Sequence, residues 1–400
     1  MFALTTRRAR WFAVAVLASV VSYVAPVAAS ADDARHGRVL VRPLPGCSPG
    51  RIAADHRASV VRQIGDLPVY ELYVATGDMA AVLASLANDV RVITAEAVDP
   101  VTSTDPGQSQ FLFAFDRGPL PGSYTNQVAF SQVNLGKSAS VTKGKGMRIA
   151  VLDTGIDAGH PDLAGHIEQG YNAIDPAQPA ADVADGLVNS AYGHGTMVAG
   201  ILARIAPKAS IMPVRVLNGD GIGTMANVMV GLRWAVTNGA DVVLMCFGSD
   251  TVSPLFAGEI QAAHESNVVL VASAGNGESS DIRFPAGLHG VTSVAAVDAY
   301  DIRAQFSNFG TYVDYAAPGV GIRSTYPGGA YASWSGTSMA APFVAGQALL
   351  LASLVDEREP HVIDWLMEKT ARPGNPAFAG ELGKGIINIE KSVYLASWIW

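Results

Sequence analysis

The stretch Ser335-Gly336-Thr337-Ser338-Met339-Ala340-Ala341-Pro342 runs into an apolar segment through Phe343, Val344, Leu349 and Leu350. Small residues lead into Ser338, and the Ala- and Leu-rich continuation predicts a buried helix. Pro342 is expected in the first helical turn, where its missing N–H is tolerated. A serine at such a helix start has its hydroxyl beside unpaired backbone N–H groups and the positive end of the helix dipole. That environment suits a nucleophile, and it suits a plain helix cap equally well. The stretch alone leaves both readings open.

Two upstream segments weigh on the choice. Met147 to Leu152 reads as a buried strand that delivers Asp153 at its end, followed by Thr154-Gly155-Ile156-Asp157. Gly193-His194-Gly195-Thr196-Met197-Val198-Ala199-Gly200 places a histidine between glycines at the head of an apolar, helix-like run. Asp, His and Ser in that chain order form one known arrangement of the catalytic triad. The blocks VLDTGIDAGHPDL, HGTMVAG and SGTSMAAP resemble those of the subtilisin-like serine peptidases and match at each catalytic position. The resemblance implies an α/β, three-layer domain with a mostly parallel sheet. It also implies a triad of Asp153, His194 and Ser338 that hydrolyses peptide bonds of polypeptide substrates through an acyl-enzyme.

The element pattern fits that fold. From Gln127 to Ser397, apolar runs alternate with helical stretches, as in a parallel sheet covered on both faces. Candidate strands are Arg148 to Leu152, Ser210 to Arg215, Asp241 to Cys246, Val268 to Ala272 and Val291 to Val297. Candidate helices are Thr224 to Asn238 and Pro254 to Ser266. Functional residues should gather at the carboxyl ends of the strands. Asn276, in Ala274-Gly275-Asn276-Gly277, reads by itself as a turn former. The resemblance makes it the oxyanion-hole side chain, with the Ser338 N–H as second donor. Gly221-Ile222-Gly223 and Leu244-Met245-Cys246-Phe247-Gly248 resemble the two family segments that hold an extended substrate by strand addition.

The chain departs from the family pattern in places. Cys246 stands where better-known members have serine, and Phe247 replaces a smaller aliphatic residue, both on the wall of the pocket for the residue before the scissile bond. A buried cysteine acting as a small hydrophobe explains Cys246; a thiol that confers sensitivity to mercurials or oxidation is the alternative. Arg283, in the compact Ser279 to Phe284 stretch, is placed near the base of the same pocket, and a preference for acidic or polar residues is expected there. Ile201 to Lys208 is short, so the loop that builds a high-affinity calcium site in many relatives is missing, although Asp162 matches one of its ligands. No cofactor is expected to be required, and a weak calcium site elsewhere is left open. Asp157, His160, Asp162 and His166 crowd together, but caps and surface pairs explain such a cluster more simply than a metal.

The rest of the chain frames this domain. Arg7, Arg8 and Arg10, the apolar run Trp11 to Val24 and small residues around Ala28 to Ala31 have the layout of a secretory signal peptide over residues 1–31. The expected location is therefore extracellular or periplasmic. Residues 36–98 alternate as βαββαβ, a ferredoxin-like unit, and their place resembles the family's propeptide, an intramolecular inhibitor and folding aid. Residues 99–126 read as a linker with a processing region, interrupted by the apolar patch Phe111 to Phe115, and 127–397 as the peptidase domain. A net charge of −8 without long basic runs argues against a nucleic-acid partner. The apolar end Trp398-Ile399-Trp400 is too short to span a membrane, so no stable membrane association is expected after the leader is removed. Cys47 and Cys246 could pair only until the amino-terminal region is lost. Two rival classes share these features: a silent binding protein and another acyl-transfer enzyme. Four intact chemical positions weigh against the first, and a serine rather than a cysteine nucleophile weighs against ligation.

Overall fold

The computed structural model describes residues 37–74, 79–103, 124–356 and 358–400. The signal-like segment 1–31, the Phe111 to Phe115 patch and Asp78, read as a helix cap, lie outside the described residues.

The amino-terminal unit contains strands β1 (Arg38–Pro43), β2 (Ala58–Gln63), β3 (Tyr70–Val74) and β4 (Val92–Ala97), with helices Pro49–Asp55 and Met79–Ala87. The strands form an antiparallel sheet in the order β2-β3-β1-β4, the ferredoxin-like arrangement. Alternation along β1 sends Val39 and Val41 to a small core with Ile52, Leu72 and Leu86. Leu40, on the opposite face, joins Ile64, Leu67 and Val69 in a cluster that also contains Met225, Met229 and Phe256 of the larger domain. The unit thus docks through an apolar sheet face. Polar contacts surround it: Arg62 Nη2 donates to Asn227 Oδ1 at 2.6 Å, and Arg233 pairs with Asp66 at 2.7 Å. Glu96 accepts from the Ser253 hydroxyl and from the Leu255 N–H at the start of helix Pro254–Glu265. Its burial there pushes the carboxyl above the usual range.

The stretch read as linker begins with a strand, β5 (Pro100–Ser103). The large domain then contributes β6 (Arg148–Asp153), β7 (Tyr171–Asn172), β8 (Ser210–Arg215), β9 (Ile222–Thr224), β10 (Val242–Met245), β11 (Phe247–Gly248), β12 (Val269–Ser273), β13 (Val291–Val297) and β14 (Tyr315–Pro318). Seven of these make a parallel sheet in the order β14-β13-β12-β10-β6-β8-β7. Strand order turns back on itself between β6 and β10, the kind of switch point at which open α/β sheets place their sites.

Both sheet faces are covered, which is why the strands read as continuous apolar runs. Ile149, Val151 and Leu244 face one cluster, and Ala150, Leu152 and Met245 face the other. The first face holds the histidine helix (His194–Ile205) and the serine helix (Thr337–Ala352). All sixteen residues of the serine helix are buried, as expected for a helix that is apolar on every side. Gly346 permits close approach of the two helices, since a Cβ there would lie 2.7 Å from Ile205 Cγ2. A hairpin of β15 (Ile322–Tyr326) and β16 (Ala330–Trp334) crosses the start of the histidine helix, with Thr325 Oγ1 donating to the Thr196 carbonyl at 2.7 Å.

Pro342 corrects one expectation. It is the sixth residue of the serine helix rather than a member of its first turn. Its missing N–H is the one that would ordinarily donate to the Ser338 carbonyl.

Phe343 is fully buried and its ring lies 5.5 Å from that of Phe130. Phe343→Ala should therefore cost about 3–5 kcal/mol, read as a lowered urea or thermal midpoint of the full chain.

Candidate active site

Asp153 ends β6, next to the switch point, and is fully buried. Its Oδ1 accepts from the Thr154 N–H at 2.7 Å and from His194 Nδ1 at 2.8 Å, with Oδ2 2.9 Å from the same nitrogen. His194 is the first residue of its helix and is also fully buried. A carboxylate and an imidazole removed from water are tolerated together because each supplies the other's hydrogen bond.

The two glycines flanking His194 have separate tasks. Gly193 has φ +90°, a left-handed conformation, and a Cβ on it would lie 2.3 Å from the Tyr326 ring. Gly195 has a Cβ position only 2.2 Å from the Gly155 carbonyl oxygen, so only glycine lets the helix meet the Asp153 loop. The Gly195 N–H donates to Thr154 Oγ1 at 3.1 Å and locks that junction.

Asp182 completes the helix start. Its Oδ1 accepts from the Gly193 N–H at 3.0 Å, and its Oδ2 accepts from the Thr196 hydroxyl at 2.7 Å and the Thr196 N–H at 3.3 Å. Burial pushes its carboxyl up to about 6, against the opposing pull of these donors. Asp182 lies twelve positions before His194 in an aperiodic loop. Nothing in its local pattern marks it.

Ser338 is the second residue of the serine helix and is fully buried. Gly336, the residue before the helix, has no side chain to cap it; Asn276 does so from across the site. Asn276 Oδ1 accepts from both the N–H and the hydroxyl of Thr337 at 2.8 Å. The amide is thereby oriented with its Nδ2 end turned away from Thr337. The loop carrying Asn276 is braced in turn: Asn308 Oδ1 accepts from the Gly277 N–H at 2.8 Å, and the Tyr312 hydroxyl donates to the Ala274 carbonyl at 2.9 Å. The Ser338 carbonyl, which Pro342 cannot serve, takes a contact from the Cys246 thiol at 3.6 Å. Cys246 is fully buried, and neither it nor Cys47 is in a disulfide.

The remaining predicted residues converge on the same place. β5 lies between β9 and β11 as the middle strand of an antiparallel three-stranded sheet. Val101 is opposite Gly223 and Thr102 opposite Ile222, while the Ser103 N–H donates to the Gly221 carbonyl at 2.7 Å. On the other side Thr102 faces Gly248 and Ser103 faces Phe247. The chain's own residues 100–103 therefore occupy the groove expected to take substrate. Arg283 sits beside β11, where Ser249 and Phe284 exchange backbone hydrogen bonds of 2.8 and 3.0 Å, and its guanidinium pairs with Asp250.

The crowded stretch after Asp153 is committed internally. Asp157 accepts from the Gly159 and Gly328 N–H groups, His160 Nδ1 from the Asp162 N–H, and Asp162 from the Tyr331 hydroxyl. These are the caps and pairs that fit such a cluster, and among the described residues no group of three or more His, Cys, Asp or Glu is placed to hold a metal.

A family model described as the subtilase family matches residues 144–385. A thermophilic serine proteinase of Bacillus sp. (strain AK1) is 34% identical over 322 residues, 76% of each chain. Thermitase of Thermoactinomyces vulgaris is 38% identical over 239 residues, 57% of this chain and 83% of its own. The crystal structure of fervidolysin from Fervidobacterium pennivorans, described as a keratinolytic enzyme related to subtilisin, superimposes with a TM-score of 0.76 at 27% identity, covering 90% of this chain and 61% of that one.

Asp182 generates a pH prediction. Its folded pKa of about 6 lies above the ordinary value, so the native state holds this proton more tightly than the unfolded state. Its contribution to stability is then full below the ordinary carboxyl range and is lost as pH rises through about 6. In the Ser338→Ala background, Asp182→Asn should flatten the fall in melting temperature between pH 4 and 7, whereas Asp182→Ala should cost about 1–2 kcal/mol through the lost helix-start acceptor.

Proposed function

Since this chain belongs to the subtilase family and is a serine endopeptidase, we propose that it is made as a secreted precursor that cuts its own chain just beyond Ser103 and then hydrolyses polypeptides. The observation that carries this reading is β5, threaded between β9 and β11 in the manner of a bound peptide. Secretion rests on the layout of the amino-terminal leader, and no helix among the described residues is long and apolar enough to cross a membrane.

The reaction assigns each residue one task. His194 takes the Ser338 hydroxyl proton as Oγ attacks the peptide carbonyl, and then gives it to the leaving amine. Asp153, bonded to Nδ1, orients the imidazole and stabilises its charged form. The Asn276 amide and the Ser338 N–H receive the oxyanion; loss of one such donor typically costs about 2.7–4 kcal/mol, a magnitude the handling of a subtilisin asparagine itself established. Water repeats the cycle on the acyl-enzyme. No cofactor enters any step.

The unit of residues 37–103 is the inhibitor in this reading. It docks through the apolar sheet face around Leu40 and Ile64 and leaves its last strand in the substrate groove. Backbone pairing reads little of the side chains, so the same groove accepts the chain's own segment first and other polypeptides afterwards.

The register of β5 supports a cut one residue beyond its end. As the chain advances through Thr102 and Ser103, its partners recede through Gly248 and Phe247, and the next wall residue is Cys246, which touches Ser338. Continued by one residue, this register favours cleavage of the bond after Thr104. The wild-type precursor should shorten to a product beginning at Asp105 and then digest casein, while Ser338→Ala keeps the unit and leaves casein intact; amino-terminal sequencing and gel mobility read both. Shortening of purified Ser338→Ala would refute self-processing.

A further inference from the structure

We propose that Arg283 sets the class of polypeptide that this endopeptidase cuts in trans, favouring cleavage after acidic residues, whereas its own bond after Thr104 is delivered in cis by the docked amino-terminal unit; the inference rests on the peptidase reading above and adds the side chain that the site selects.

The residue whose carbonyl is attacked must lie between Cys246-Phe247-Gly248 on one side and Gly275-Asn276 on the other. The first segment pairs with the substrate strand, and the second carries the oxyanion donor. Both walls are glycine where they face the space between them, and the Arg283 side chain crosses it. A Cβ on Gly248 would lie 3.4 Å from Arg283 Nε, and one on Gly275 would lie 3.1 Å from Arg283 Cγ. Arg283 therefore floors the pocket that the two glycines leave open, with its charged end reaching toward β11.

The position is held by the fold. The paired backbone bonds between Ser249 and Phe284 hold the residue after Arg283 against the residue after Gly248. The Asn308 side chain packs on the same side of Gly275 as Arg283, with its Nδ2 2.7 Å from a Cβ built there, so the space cannot widen on that side without losing the brace of the Asn276 loop.

Charge then selects the occupant. The Arg283 side chain is only 23% exposed, and burial lowers its pKa from the ordinary value, the signature of a cation short of solvent. Its partner Asp250 is 81% exposed, and an ion pair with one partner so hydrated contributes little. A carboxylate entering beside Gly248 meets the Nε edge of the guanidinium, the Nη1 end being held by Asp250, and a charge-assisted contact there is stronger than one to a neutral side chain. A large aromatic side chain would have to displace the arginine, and a lysine would meet it as a like charge.

The test uses the self-processed enzyme with a peptide series differing only at the residue before the cut: Glu, Asp, Ala, Phe and Lys. The expected kcat/KM for Glu exceeds that for Phe by at least about tenfold. Arg283→Gln should reverse the order by lowering Glu and raising Phe, and the exposed variant Asp250→Asn should raise Glu several-fold by removing the competing carboxylate. A wild-type preference for Phe, or a Glu to Phe ratio unchanged in both variants, overturns the proposal while leaving the peptidase reading intact. Failure of the wild type to cut any of these peptides and casein as well overturns both, and that outcome is distinct from a wrong preference.

Discussion

The structure depends on a buried contact between Asp153 and His194. Two ionisable side chains without solvent have to be joined by hydrogen bonds or the fold bears a heavy desolvation cost. Much of the local design follows from that need. β6, an interior strand, carries the aspartate at its carboxyl end, the histidine helix starts where the imidazole can meet it, and Gly195 removes the one Cβ that would keep them apart. Thr154 ties the two sides of the contact together: its N–H donates to the Asp153 carboxylate and its hydroxyl accepts from the Gly195 N–H. Asp182 then supplies the acceptors that this helix start lacks in its own sequence, because a glycine with a left-handed backbone precedes it.

The serine helix solves a related problem in a different way. Gly336 gives it no cap, and Pro342 removes the donor for the Ser338 carbonyl. Asn276 supplies the cap from the neighbouring loop and the Cys246 thiol supplies a donor from the segment between β10 and β11. The residues that satisfy the helix are thus themselves members of the candidate site. Cys246, which reads in the sequence as a small hydrophobe or a reactive thiol, acts in the structure as a weak donor. Pairing Asn276 Oδ1 with Thr337 also decides which end of the amide is presented, a matter of hydrogen-bond geometry and not of residue type.

The amino-terminal unit and the peptidase domain share one apolar cluster, so in this state the two are parts of one packed body. Leu40 and Ile64 extend the core beneath helix Met225–Thr237. Placing β5 in the groove adds a strand to two that are too short to be stable alone. The polar seam of Arg62, Asp66 and Glu96 stays at the rim of this contact, where it fixes orientation more than it holds the parts together.

By itself, the sequence determined the parallel α/β architecture, the ferredoxin-like unit before it, and the candidate triad with Asn276, because period and motif are local and survive without knowledge of contacts. The family resemblance of the segments around Gly221, Phe247 and Gly248 marked them as candidate groove walls, and the structure pairs them with the chain's own β5. Only the tertiary structure decided that Pro100 to Ser103 is a strand, since four residues among prolines and glycines have no period and become extended by pairing with β9 and β11. Only it disclosed Asp182, Thr337 and Asn308, polar residues in aperiodic or helix-edge positions whose importance lies in which backbone groups they reach. Pro342 was misplaced by one turn for a similar reason: helix starts are decided by the partners of the first N–H groups, and here those partners lie 61 residues away at Asn276.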